Sequence, residues 1–267
     1  MAKGWAFKYP GTVEDAQQEF SLGVSIGKLG IATSDNRPPR LVVDSIVCGL
    51  NARCHIPERS ILPTAKEVLR SFPLQNHSGP LAGFSLDVKS AHKRIVLHPS
   101  ERGLVGFSLN GDIYFHYVAP FGATFSASWW SGLGGWMLRL FHHLIWWPHC
   151  GLLYVDDFLF YMAAQSMPLA ATLCCIFCQL TQIPISWRKS ELGSQISWIG
   201  WNFNFRAGTE QIPESKIQKL KQYIQQLLQS SRCTRKQLKK NDWFAHVDYP
   251  AFSTFAYLDS LFIFRPV

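Results

Sequence analysis

The sequence has no internal repeat and no low-complexity linker, and its most apolar long window is interrupted by glycine and charge. The first two absences leave one large domain or two subdomains rather than an array. The third argues against a membrane span. The most apolar long window, residues 121–147, holds four glycines together with Arg139, His142 and His143, which makes it a poor span and a fair buried helix. Charged residues are few, at 16% against 47% hydrophobic, and this excludes a disordered chain. Acids are the scarcer sign: 18 Asp and Glu face 26 Lys and Arg, a net charge of +8. That balance suits a polyanionic partner, nucleic acid first. Met1 to Gly11 has no apolar core of the signal-peptide kind, so none is expected.

The seven cysteines are odd in number, which speaks against a disulfide framework and for a reducing intracellular setting, cytoplasm or nucleus. Cys175-x-x-Cys178 near His142, His143 and His149 invites a zinc reading. But residues 173–178 form the apolar face of a helix and no second cysteine pair completes a site, so small buried hydrophobes are expected.

What is present is an alternation of strand, turn and helix signals. Thr12-Val13-Glu14-Asp15 can cap a short helix. Gly23–Gly30, a polar proline-rich turn and Arg40–Asp44 predict a β-hairpin, and Pro63 opens a helix. Gly83–Val88 predicts a strand ending in an acid, followed by a tight turn and a second strand over Arg94–Leu97. Asn110-Gly111, flanked by Val105–Leu109 and Ile113–Val118, is a strong hairpin signal. Pro120-Phe121-Gly122 ends that strand and opens a long helix to about Trp147. Another hairpin over Gly151–Tyr161, a helix over Pro168–Leu180, a short strand over Ile183–Trp187 and a β segment over Ile196–Phe205 follow. Pro213 starts an amphipathic helix with Ile217, Leu220, Ile224, Leu227 and Leu228 on one side. The order predicts an α+β fold built on antiparallel hairpins.

Chemistry concentrates in Leu152–Phe160, where Asp156 and Asp157 interrupt an apolar β-prone run. Burying ionised carboxylates is costly, and an extended strand sends neighbours to opposite faces. Both reach one site only if the chain bends between them. Asp87 ends another apolar strand and is the candidate third acid, sharing a sheet edge with Asp156. Converging carboxylates repel unless a cation intervenes, and oxygen-only ligands suit Mg²⁺.

These residues carry a resemblance. Tyr154-Val155-Asp156-Asp157 resembles the catalytic motif of reverse transcriptases, and Leu86–Ile95 resembles their first carboxylate motif. Tyr117–Ala123 resembles the Pro-x-Gly motif, Ile183–Lys189 and Trp198–Trp201 the next two motifs, and Arg40–Asp44 with Leu50-Asn51 the fingers hairpin. The six motifs fall in the family's order over residues 22–230, and the Pro-Phe-Gly version is most similar to retrotransposon enzymes. The resemblance implies a right-hand polymerase: an antiparallel, RRM-like palm sheet with helices on one face, a fingers β-hairpin and a partial thumb. It implies an N-terminal extension over 1–20, fingers over 21–82, palm over 83–205 and the start of a thumb over 206–240. Residues 241–267 fit neither a thumb nor an RNase H domain.

By the same resemblance Asp87, Asp156 and Asp157 hold two Mg²⁺ ions, Mn²⁺ being the alternative, with the Val88 carbonyl assisting. Arg40 and Lys28 neutralise the triphosphate of a dNTP, and Lys189 gives a proton to pyrophosphate. Ala91, His92, Phe121 and Gly122 line the nucleotide site, and Trp198, Gly200 and Trp201 steady the primer end. The residues by themselves also allow a solvated loop lysine at 28, a strand-end lysine at 189 and core aromatics at 198 and 201. His92 stands where the family usually has an aromatic that excludes a 2′-hydroxyl, and Phe121 where it usually has a polar residue. The implied activity is templated DNA synthesis on a primed RNA or DNA template; a catalytically inactive, nucleic-acid-binding remnant is the alternative. An RNA-directed RNA polymerase would typically show Gly-Asp-Asp where this chain has Val155-Asp156-Asp157. No protein partner is implied.

Overall fold

A computed structural model describes residues 4–34, 37–57, 60–71 and 79–229. In chain order the elements are β1 (Ala6–Tyr9), α1 (Val13–Glu19), β2 (Ile26–Ser34), β3 (Arg37–Asp44), α2 (Leu50–Arg53), α3 (Ala65–Arg70) and β4 (Leu81–Asp87). Two 3-10 helices follow, Ala91–Arg94 and Pro99–Val105, then β5 (Gly106–Leu109), β6 (Asp112–His116) and α4 (Thr124–Leu144). The chain continues through β7 (His149–Tyr154), β8 (Asp157–Ala163), α5 (Met167–Leu180), β9 (Glu191–Gly193), β10 (Gln195–Trp198), β11 (Trp201–Asn204), β12 (Thr209–Gln211) and α6 (Glu214–Gln229). The expected α+β class is present: mixed helices and sheets, with every strand pair antiparallel except β2 against β5.

The central sheet has the order β7-β8-β4-β9. All seven residues of β4 are buried, because the sheet is covered on both faces. Strand alternation divides the cover. Phe84, Leu86, Phe158, Phe160 and Met162 pack against Trp130, Met137 and Phe141 of α4 and Cys174 and Cys178 of α5. Leu81, Leu159 and Tyr161 face the other way, toward Val68, Ile196, Trp198, Phe203 and Phe205. The second cover is a small sheet, β10-β11-β12. It approaches so closely that a Cβ on Gly83 would stand 2.4 Å from the Phe205 ring. A five-stranded sheet, β1-β6-β5-β2-β3, carries the N-terminal hairpin. Cys174 and Cys178 are the buried small hydrophobes the sequence predicts, and burial pushes both thiols up to about 12.

Local signals were followed closely where turn chemistry sets them. Thr12 accepts from the Asp15 amide at 3.2 Å while Asp15 accepts from the Thr12 amide at 2.8 Å. Asn110 and Gly111 take φ of 54° and 86° between β5 and β6. Three expectations need correction. Arg94–Leu97 is not a strand: Ser90 turns left-handed at φ 58°, residues 91–94 wind into a 3-10 helix, and only Val96 bridges Val118. Ile183–Trp187 is likewise one bridge, Val88 to Ile185, since Pro184 has no amide to donate. α4 is buried on one face only, and Trp129, Leu133 and Trp136 of its other face are exposed. α6 is the amphipathic helix expected after Pro213; none of its described residues is buried, and Leu228 is exposed. No described helix is long and apolar enough to cross a membrane. The segment 241–267 and the end of the expected thumb start lie outside the described residues.

Candidate active site

β7 and β8 join through a two-residue loop, with Tyr154 opposite Asp157 and Val155-Asp156 at the tip. Two-residue hairpins favour a left-handed first position, and Val155 supplies it at φ 55°, an uncomfortable conformation for a β-branched residue. α4 holds it there. The buried Trp130 indole donates to the Val155 carbonyl at 2.7 Å, and the Val88 amide donates to the Asp156 carbonyl at 3.1 Å. The bend required by the sequence therefore exists.

Its result corrects the expectation that Asp156 is the acid sharing a sheet edge with Asp87. The acid directly opposite Asp87 is Asp157, the last pair of the β4–β8 ladder, while Asp156 reaches in from the loop. Pairing register, not sequence spacing, decides this. Asp87, Asp156 and Asp157 offer carboxylate oxygens that all lie within 4.8 Å of one another. Among the described residues this is the one group of three or more such ligands able to hold a metal ion.

Burial, then the charge of Asp87, raises the pKa of Asp156. Burial raises Asp157 further, to about 7, helped by a side-chain hydrogen bond with Asp87 and the charge of Asp156. A set of hard oxygen donors whose ionised form is penalised by its own crowding fits a divalent cation. The bonds flanking Val88 run from the Lys89 amide to Pro184 and from the Ser186 amide to Asp87, so residues 184–186 do not use the Val88 carbonyl. Lys189 sets its ammonium 2.5 Å from Asp87 Oδ2. A pocket of about 170 Å³ lies between Asp87, Asp157 and Lys189 on one side and Ser197, Trp198 and Ile199 on the other.

The nucleotide-site candidates also assemble. The Pro-Phe-Gly loop is seated against β3: Val43 N–H donates to Phe121 at 3.0 Å, and Gly122 adopts φ 107° where a Cβ would meet the Val43 carbonyl at 1.9 Å. Asn51 locks the seat by donating to the Gly122 carbonyl at 2.9 Å and accepting from the Thr124 amide at 2.9 Å. The His92 ring lies 5.4 Å from Phe121, and the Arg40 guanidinium 5.7 Å from the same ring. Ala91 is buried beside them in the chain. Lys28 stands apart: it is exposed on β2 opposite Asp44, whereas Arg40 lies opposite Ala32, about 13 Å along the hairpin.

At the third group, Trp198 and Trp201 are both buried in the core beneath the small sheet, the alternative the sequence allowed. Ile199 and Gly200 form the half-buried turn between them, at φ 43° and 84°. Trp198 still connects to the acids, since its indole donates to the Asp157 carbonyl at 3.2 Å. Sequence reasoning missed Trp130, the Asn51 side chain and Lys216, whose ammonium donates to the Gly200 carbonyl at 2.8 Å from α6. None carries a local signal, because each acts on a partner distant in sequence.

No family model and no curated protein matches the sequence. Solved structures do match in fold. The foamy viral protease-reverse transcriptase dRH in complex with double-stranded DNA superposes with a TM-score of 0.66 at 14% identity, covering 90% of this chain and 36% of that one. The foamy viral protease-reverse transcriptase in complex with RNA/DNA hybrid gives 0.61 at 16%, covering 89% and 28%. Telomerase from Candida albicans, in complex with a fragment of telomeric RNA, gives 0.57 at 10%, covering 79% and 48%. The chain thus spans less than half the length of each. The fold is similar to that of reverse-transcriptase-like polymerases.

Proposed function

We propose that this chain is the polymerase part of a retroelement reverse transcriptase, extending a primer 3′-hydroxyl with dNTPs on an RNA or DNA template and releasing pyrophosphate. The carrying observation is the convergence of Asp87, Asp156 and Asp157 at one sheet end in a fold similar to that of such enzymes. In this reading residues 21–82 are the fingers, 83–205 the palm and 206–240 the start of the thumb, after an N-terminal extension.

Asp87, Asp156 and Asp157, with the Val88 carbonyl beside them, would hold two Mg²⁺ ions, or Mn²⁺, whose chemistry would be Lewis-acid activation of the primer hydroxyl and charge neutralisation at the leaving pyrophosphate. The chain's own groups do the positioning. Arg40, with Lys28 further along the hairpin, meets the triphosphate; the fork of arginine matches phosphate oxygens. Phe121 and Gly122 form the floor under the nucleotide, where glycine lets the backbone approach. His92 fills the place beneath the sugar. The Ile199-Gly200 turn, anchored by Trp198 and Trp201 in the core, steadies the primer end. Lys189 is the proton donor to pyrophosphate. The net charge of +8 favours a nucleic-acid backbone.

The test is primer extension on a homopolymer template. Wild type extends with Mg²⁺, and Asp156→Asn abolishes extension with an unchanged circular dichroism spectrum. Retained activity in that variant removes Asp156 from the metal site. A wild-type chain that binds the primed template without extending it is the inactive remnant instead.

A further inference from the structure

Lys93 has no place in the roles above, yet it is the most deeply buried lysine that the structure describes, with 7% of its surface exposed. Among the described residues it has no carboxylate and no hydrogen-bond acceptor. Its ammonium lies 5.6 Å from the Trp5 ring centre and 5.6 Å from that of Phe121. Arg40 brings a second cation to the same Phe121 ring, and it too has no ion pair among the described residues. His92, on the third side, has both ring nitrogens buried without a partner.

Burying an ammonium costs more than two aromatic faces return, and burial pushes Lys93 down to about 8. Such an arrangement is stable in its charged form when an anion joins it. The neighbourhood limits the choice of anion. His92 feels the charge of Asp156, so this group of side chains adjoins the acid cluster. A polyanion spanning both would meet cations here and bridging metal at the acids, with the flat Phe121 ring between.

We propose that Lys93 and Arg40, meeting on Phe121, form a phosphate pocket for the incoming nucleoside triphosphate, in which Lys93 is a binding cation contributed by the 3-10 helix after β4. The inference rests on the polymerase reading for the identity of its ligand and on the geometry for the site.

The probe is inorganic tripolyphosphate on the full chain. Lys93→Met weakens its binding by roughly tenfold or more, the loss of one charge-assisted contact, and Lys93→Arg retains it. Unchanged binding in Lys93→Met overturns the proposal. A measurement on wild type makes the test independent of how that variant folds: pyridoxal phosphate followed by borohydride labels Lys93, and tripolyphosphate protects it. An unlabelled Lys93, or labelling indifferent to tripolyphosphate, also overturns the pocket. Failure of the two readings is separable. Lys93-dependent tripolyphosphate binding without primer extension removes the polymerase and leaves the pocket. Extension in which Lys93→Met keeps the wild-type KM for dNTP removes the pocket and leaves the polymerase.

Discussion

Asp87 and Asp157 stand directly opposite each other at the end of the β4–β8 ladder, so their side chains share one sheet face and one environment. Like charges in that position repel. Burial first, then a hydrogen bond with Asp87 and the charges of Asp156 and Asp87, pushes Asp157 up to about 7 from the usual 3.8, so the folded chain holds a proton that the unfolded chain releases. Stability from this group is therefore lost as pH rises from about 4 through 7. In EDTA at pH 8, Asp157→Asn is expected to raise stability by about 1–2 kcal/mol once partial solvent exposure is allowed for, and to lose that advantage near pH 4. Urea unfolding at the two pH values checks it. Primer extension by the same variant is expected to be abolished.

Gly122 is where the β2–β3 hairpin and helix α4 meet. Any Cβ there collides with the Val43 carbonyl, and φ 107° is itself unsuited to other residues. Gly122→Ala must break the Val43–Phe121 hydrogen bond or displace the loop that Asn51 clamps. The expected cost is about 3 kcal/mol, read as a lower urea midpoint at unchanged slope. A variant as stable as wild type would show that the loop sits differently.

Elements set by neighbouring residues were legible in the sequence. The Asn110-Gly111 hairpin, the Thr12 capping box and the bend at Asp156 all follow from turn chemistry confined to four residues. Elements set by distant partners were not. β1 exists because Ala6–Tyr9 adds to β6 more than a hundred positions away, and a four-residue run has no pattern that announces this. Arg94–Leu97 has strand composition, but the left-handed Ser90 redirects the chain before it pairs. The same holds within the site. Three acids were visible as candidates; which of the two neighbours faces Asp87 depends on register. Lys93 was invisible because burial of a lysine beside two rings leaves no trace in its own sequence context.

His116 gives a pH signature remote from the acids. It is buried in β6 with its ring 5.2 Å from Phe107, and burial first, then the charge of Lys93, lowers it to about 4. The unfolded imidazole takes a proton near 6.5, so this contribution is complete above that pH and falls away between 6.5 and 4. From pH 8 to pH 5 the wild type is expected to lose about 2 kcal/mol through this residue. His116→Phe flattens that limb. Urea unfolding across the range measures the difference in slope; parallel wild-type and variant curves would discount the burial of His116.

Lys189 and a metal ion would compete for the same carboxylate. The ammonium sits 2.5 Å from Asp87 Oδ2, on an acid whose side chain is 4% exposed, while the lysine itself is 62% exposed. Removing it leaves a buried charge facing two like charges. Lys189→Met is therefore expected to lower stability in EDTA by about 2 kcal/mol, less than a fully buried pair because water reaches the lysine. Added Mg²⁺ should restore the variant. It should also bind it more tightly than wild type, since no resident cation has to be displaced from Asp87. Thermal midpoints against Mg²⁺ concentration give both quantities by linkage. If Lys189 also donates the proton to pyrophosphate, kcat falls in the variant at saturating Mg²⁺ and dNTP, whereas a purely structural lysine leaves kcat intact once metal has restored the fold. A variant with weaker Mg²⁺ binding than wild type would show that the ion does not engage Asp87.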